Sequence, residues 1–150
     1  MPPSILSLSH LIELNISYNQ LKDDFAKLIN VNNGDKEYFK HLKFLNLSHN
    51  QLTKVPHALY SLSRLENVSL NNNKLVAWSD KNVFLTWSEG NVGFRKCSLR
   101  KLDMSNNAQL GNPPVQLLRL SNINKLTLTG CAVNNADLLS NMDHNGVKEY

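Results

Sequence analysis

Cysteine is scarce: Cys97 and Cys131 are the only two among 150 residues, far too few for a framework of disulfides. Although 41% of the residues are hydrophobic, they never gather into a run of membrane-spanning length. The opening stretch MPPSILSLSHLIEL lacks a charged n-region, so no targeting segment is read there. Catalytic motifs are missing as well. The chain contains no glycine-rich phosphate loop, no nucleophile elbow and no carboxylate pair that stands apart from the surface pattern. His10, His41, His49, His57 and His144 share no metal-ligand spacing with cysteines or acids. We therefore expect no enzyme activity in this segment, no metal and no cofactor. The net charge of +4 comes from scattered basic residues, and the single cluster of Arg95, Lys96, Arg100 and Lys101 reads as a solvated face. Neither nucleic acid nor an anionic membrane is the expected partner.

Repetition is what the chain does have. LIELNISYNQL begins at Leu11, LKFLNLSHNQL at Leu42 and LENVSLNNNKL at Leu65. LRKLDMSNNAQL begins at Leu99 with one extra residue before its last leucine, and INKLTLTGCAV begins at Ile123 with Cys131 in place of asparagine. Starts at 11, 42, 65, 99 and 123 give two spacings near 23 residues and two longer ones, with insertions near 22–41 and 76–98. The stretches between these blocks repeat too: Pro56, Leu59 and Leu62 stand nine, six and three residues before Leu65. Pro114, Leu117 and Leu120 stand likewise before Ile123, and Pro2, Ile5 and Leu8 before Leu11.

With this unit, LxxLxLxxNxL followed by proline and apolar residues three apart, the chain resembles the leucine-rich-repeat family in its intracellular, proline-containing class. The resemblance covers essentially the whole chain. It implies a curved solenoid with a parallel sheet on the concave side, and protein binding as the task. Secreted relatives usually carry cysteine-rich end caps, so two cysteines point to the cytosol, with the nucleus possible. The run from Leu99 to Tyr150 is also faintly similar to the repeats of the PH-domain leucine-rich-repeat protein phosphatases. Those enzymes' metal-binding acidic residues are not in this chain.

Periodicity leads independently to the same α/β solenoid. In LKFLNLS, Leu45 and Leu47 alternate with Phe44, Asn46 and Ser48, so a short strand points the leucines one way and the others outward. One such strand cannot bury its apolar side alone, whereas stacked units share a core. Apolar residues three apart suit a 3₁₀ or helical turn on the convex side. Asn19, Asn50, Asn73 and Asn107, with Cys131 in the last unit, fall where the chain leaves each strand. They are expected to form a structural ladder that satisfies backbone groups in the turns.

The outward positions then line up as Glu13, Phe44, Asn67, Lys101 and Lys125, next as Asn15, Asn46, Ser69, Asp103 and Thr127, and next as Ser17, Ser48, Asn71, Ser105 and Thr129. Tyr18, His49, Asn72 and Asn106 follow at the rim. This face is mostly polar and becomes positive toward the C-terminal repeats. Candidate partner contacts are Glu13, Tyr18, Phe44, Asn46, His49, Asn71, Lys101, Asp103 and Lys125. Phe44, flanked by Tyr18 and His49, is the leading one, because aromatics anchor interfaces. Its bland alternative is packing on a neighbouring outward side chain with no partner involved. Five strands about 4.8 Å apart and about 13 Å long make a strip of roughly 300 Å², against about 800 Å² per partner in a standard interface.

In the first insertion, Asp23 or Asp24 is expected to cap a short helix bearing Phe25, Leu28 and Ile29. The second brings together Trp78, Phe84, Trp87 and Phe94, as padding for the convex core or as a contact edge. Sequons at Asn15, Asn46 and Asn67 lie inside the expected strands, where glycosylation is not expected. Pro2 opens inside a second half-repeat, and Val147–Tyr150 falls where another repeat is due. The segment is accordingly expected to be a monomeric piece of a longer protein. Two functions follow: a module that presents the concave sheet to a protein partner, or the targeting or regulatory region of a larger signalling enzyme such as a phosphatase.

Overall fold

A computed structural model of the chain describes residues 8–24, 39–56, 59, 62–78, 98–118 and 122–134. Each repeat contributes one strand, starting at its third residue: β1 (Glu13–Asn15), β2 (Phe44–Asn46), β3 (Asn67–Ser69), β4 (Lys101–Asp103) and β5 (Lys125–Thr127). They form one parallel sheet in sequence order. The register sets Leu14, Leu45, Val68, Leu102 and Leu126 side by side, all buried. Hydrogen bonding continues past the strand ends, with Leu47 N–H donating to Ser69 O at 2.8 Å and Leu70 N–H to Asp103 O at 2.8 Å. Leu47, Leu70, Met104 and Leu128 thereby form a second buried apolar row. The expected leucine-rich-repeat solenoid is thus what the chain forms.

The return limbs use the three-residue spacing as expected. Leu59 N–H bonds Pro56 O at 3.1 Å, Leu62 N–H bonds Leu59 O at 3.4 Å and Leu65 N–H bonds Leu62 O at 3.0 Å. This chain of i to i+3 bonds buries Leu59 and Leu62 beneath the sheet. In the fourth unit the same place holds a one-turn helix, α1 (Val115–Leu118). Pro114 precedes it, as suits a residue whose missing N–H costs nothing at a helix start. The extra residue in LRKLDMSNNAQL is absorbed in a turn: Ala108 and Gln109 are exposed while Leu110 is fully buried.

Both insertions feed the core at a junction with the repeats. Phe39 is buried at the end of the first. Trp78, at the start of the second, is buried and donates from Nε1 to Gly111 O at 2.8 Å. Phe25, Leu28, Ile29, Phe84, Trp87 and Phe94 lie outside the described residues. The helix that Asp23 or Asp24 is expected to cap lies outside the described residues, and the Asp23 carboxylate turns sideways. It accepts from Thr53 N–H at 2.8 Å, Lys54 N–H at 3.3 Å and the Thr53 hydroxyl in the next unit. Burial pushes this carboxyl's pKa up, but the hydrogen bonds from Thr53 and Lys54, with the Lys54 charge, outweigh it and hold the value below 3.8.

Candidate functional site

The outward residues fall into the rows counted from the sequence. Glu13, Phe44, Asn67, Lys101 and Lys125 are register partners across the five strands, and so are Asn15, Asn46, Ser69, Asp103 and Thr127. These two rows, Asn15 excepted, line a concave groove of about 500 Å³, with Leu14, Leu45, Val68 and Leu102 also at its wall. Phe44 keeps 38% of its surface exposed there. Its backbone is fixed by strand pairing on both sides, so the ring is presented from a rigid base.

The polar residues of the groove are largely occupied with one another. Asn15 Oδ1 accepts from Ser17 N–H at 3.1 Å and Ser17 Oγ at 2.7 Å. Asn46 Oδ1 accepts from Ser48 N–H at 3.0 Å and its Oγ at 2.7 Å, and Asp103 Oδ1 does the same with Ser105 at 3.0 and 2.7 Å. The Asn71 oxygen takes the Ser69 hydroxyl at 2.6 Å. An amide oxygen has two lone pairs, so Asn15 and Asn46 have spent their acceptors internally and retain their NH₂ donors.

Just beyond, Tyr18, His49, Asn72, Asn106 and Gly130 all adopt left-handed φ angles between 53° and 75°. This turns the chain off the sheet at the same step in every repeat. The Tyr18 and His49 rings stack at 4.0 Å with 10° between planes. Asn72 Nδ2 donates to His49 Nε2 at 3.3 Å, and Asn106 Nδ2 to Asn72 Oδ1 at 3.2 Å. The structure therefore sets the expected trio apart. Tyr18 and His49 belong to the rim, outside the groove that Phe44 lines five residues earlier in its repeat.

The structural ladder takes the expected form. Asn50 Nδ2 donates to Leu47 O and Ser48 O of its own unit and to Ile16 O of the unit before, at 3.0 to 3.1 Å, while its oxygen accepts from Leu21 N–H at 3.0 Å. Asn73 and Asn107 repeat the pattern toward Leu52 and Leu75. Asn19 sits at the edge, bonds Ile16 O and Ser17 O, and is exposed. Cys131 donates from Sγ to Met104 O at 3.1 Å. Burial raises its thiol pKa, as does the Asp103 charge, against a lowering contribution from a backbone bond of Asn107; the proton needed for donation is thereby kept.

Four contacts escaped the sequence reading. His10 and His41 stack at 5.6 Å with 8° between planes, and Arg64 Nη1 lies 2.9 Å from His41 Nδ1. Lys43 and Glu66 pair at 2.9 Å. Asn112 Oδ1 accepts from Asn134 N–H at 2.6 Å, the counterpart of Asp23 and Thr53. The histidine, Arg64 and Lys43–Glu66 contacts join like positions of successive units, so the same counting would have found them, whereas Asn112 meets a residue one step out of register with it. Among the described residues, no three His, Cys, Asp or Glu side chains gather as metal ligands.

Family models of leucine-rich repeats match residues 7–24, 40–82 and 98–120, together more than half of the chain. The chain belongs to the leucine-rich repeat family. It is 30% identical over 147 residues to Tsukushi of Xenopus tropicalis, an alignment covering 91% of this chain and 33% of that protein. Its fold resembles the solved leucine-rich repeat domain of the type III effector XopL, with a TM-score of 0.59 and 19% identity over 99% of this chain and 55% of that one. The repeats here thus span about a third of the curated relative and about half of the solved domain.

Proposed function

We propose that this repeat segment recruits a protein partner into its concave groove. Leucine-rich repeats typically mediate protein–protein interaction, and the observation that carries the reading here is Phe44, an exposed aromatic rising from the middle of a hydrogen-bonded sheet into a groove of about 500 Å³. A ring carried on a backbone already fixed by strand pairing leaves only side-chain freedom to lose on binding, which favours conversion of the apolar area it covers into affinity. The neighbouring amides and hydroxyls are pre-oriented by their mutual bonds. They offer a fixed polar frame around that anchor. Glu13, Asn46, Asn71, Lys101, Asp103 and Lys125 are the accompanying contacts of the groove, and Tyr18 with His49 forms a separate contact at the rim.

We also propose the proline-containing intracellular class and a cytosolic or nuclear setting, supported by the scarcity of cysteine and by Pro56 and Pro114 at like positions. A targeting role within a larger signalling enzyme would use the same groove. The likeness to phosphatase repeats gains no support from either relative named above.

The reading is tested by placing a photo-activated cross-linking residue at Phe44, at Asn67, or at Gln109 in the turn outside the groove. A partner protein should be captured from the two groove positions and lost when Asn67 is replaced by arginine in the Phe44 probe. Equal capture from Gln109, or capture indifferent to Asn67→Arg, would overturn it.

A further inference from the structure

We infer that the groove receives an extended, polyproline-like segment of the partner that sets an apolar side chain on Phe44 and, three residues away, a carboxylate on Lys101. The inference rests on the recruitment reading above and specifies its ligand.

The first row of the groove runs Glu13, Phe44, Asn67, Lys101 and Lys125 in strict register. Glu13 and Lys101 are exposed, and neither side chain has a hydrogen-bonded or charged partner among the described residues. One residue earlier in each repeat, by contrast, Lys43 and Glu66 neutralise each other at 2.9 Å. The row therefore carries a negative end, an aromatic step, an amide and a positive end. A ligand charge is discriminated along it: a carboxylate is attracted on the β4 side of Phe44 and repelled on the β1 side.

Hydrogen bonding selects in the same direction. The oxygens of Asn15 and Asn46 are filled by Ser17 and Ser48, which leaves their amide hydrogens, and Asp103 Oδ1 is filled by Ser105. Alongside them the Asn67 amide has no bond among the described residues. A lining with donors to spare matches a ligand rich in carbonyl and carboxylate oxygens. Asp103 brings an acidic side chain two residues after Lys101 on the same strand. The incoming carboxylate must accordingly sit in the first row, beside Asn67, and not deeper along the strand.

Spacing fixes the backbone of the ligand. Phe44 and Lys101 are two strands apart, about 9.6 Å at about 4.8 Å per strand. A β-strand laid across the sheet returns a side chain to the same side every two residues, at about 6.6 or about 13 Å, and misses that distance. A polyproline helix has three residues per turn and rises about 3.1 Å per residue, so side chains i and i+3 point alike about 9.3 Å apart. Such a segment makes no internal hydrogen bonds, and its carbonyls stay available to the Asn46 and Asn67 amides. A four- to six-residue segment also suits a strip of roughly 300 Å², which is too small to seat a globular face.

The probe is a set of fluorescent, proline-rich octapeptides titrated against the full 150-residue chain by anisotropy. The parent peptide carries leucine and aspartate three apart; the others move the aspartate to two apart, replace it by lysine, or replace the leucine by alanine. The parent should bind, and each alteration should weaken it by about tenfold or more. Lys101→Glu should lose the parent and gain the lysine peptide, while Phe44→Ala should lose both. Circular dichroism on both variants confirms that these exposed substitutions leave the fold intact. Absent binding of the parent peptide, equal binding across the set, or failure of the charge exchange at position 101 overturns the inference. Groove-dependent cross-linking alongside any of those results would leave recruitment standing and remove only this ligand.

Discussion

Asn106 Oδ1 lies 2.8 Å from the point that a Cβ on Gly130 would occupy. Gly130 has φ of 75° and stands where the other units place Tyr18, His49, Asn72 and Asn106, all left-handed. Glycine accepts that conformation without penalty, whereas an L side chain costs about 1 to 2 kcal/mol there. Gly130→Ala should therefore lower stability by about 2 kcal/mol, because the added methyl also pushes the Asn106 amide away from Asn72. Chemical denaturation of both proteins measures it. An unchanged midpoint would show that the last turn adjusts freely.

Asn107 is fully buried, and its amide closes bonds to Leu70 O at 3.1 Å, Met104 O at 2.7 Å and Leu75 N–H at 3.1 Å. Removing it strands these backbone groups away from water, which makes Asn107→Ala cost about 3 kcal/mol or more. Asn19→Ala removes the equivalent residue at the exposed edge of the ladder, where water replaces the lost bonds, and should cost under about 1 kcal/mol. Asn107→Cys should fall between them, since Cys131 shows that a thiol can serve the strand carbonyl alone. Equal losses at 19 and 107 would deny that burial makes the ladder matter.

The carboxylate of Asp23 accepts more strongly from Thr53 and Lys54 when ionised. Its folded pKa lies below 3.8, so the stability it adds is present above that value and is lost as pH falls through the folded one. Asp23→Ala should cost about 1 to 2 kcal/mol at neutral pH. The difference from the parent should shrink as the pH is taken below 3.8. Denaturation midpoints of both proteins across that range provide the measurement, and a gap independent of pH would contradict the assignment.

How far these features could be read from the sequence depended on whether repetition carried them. Leu14, Leu45, Val68, Leu102 and Leu126 were placed by counting, because alternation within each strand and a shared core leave no other register. The outward position of Phe44 followed by parity. Position alone could not show that the oxygens of Asn15 and Asn46 are consumed by Ser17 and Ser48, since this depends on side-chain rotamers. It also could not show that Asn19 would be exposed and Asn107 buried, since that depends on what packs against each turn. The bond from Asp23 to Thr53 was not foreseen, because the chemistry that caps a helix is the same chemistry that binds Thr53. Thirty residues and an insertion separate the two, so the local reading offered itself first.

His41 receives a hydrogen bond at Nδ1 from Arg64 Nη1 at 2.9 Å and stacks on His10. Arginine has no acceptor to offer, so this contact requires an unprotonated Nδ1. Partial burial holds the His41 pKa below its ordinary 6.5, assisted by the charges of Arg64, Lys40 and His10. The folded protein thus binds this proton less readily than the unfolded chain. Its share of stability is complete above 6.5 and is lost as the pH falls below that value. Arg64→Ala should move the His41 midpoint upward, and Lys40→Ala should move it the same way by less. Burial persists in both variants, so neither should restore 6.5. Imidazole resonances followed by NMR from pH 5 to about 8, the range in which histidine titrates, measure the shift directly. A His41 midpoint indifferent to Arg64 would mean that the guanidinium is not held against the ring in solution.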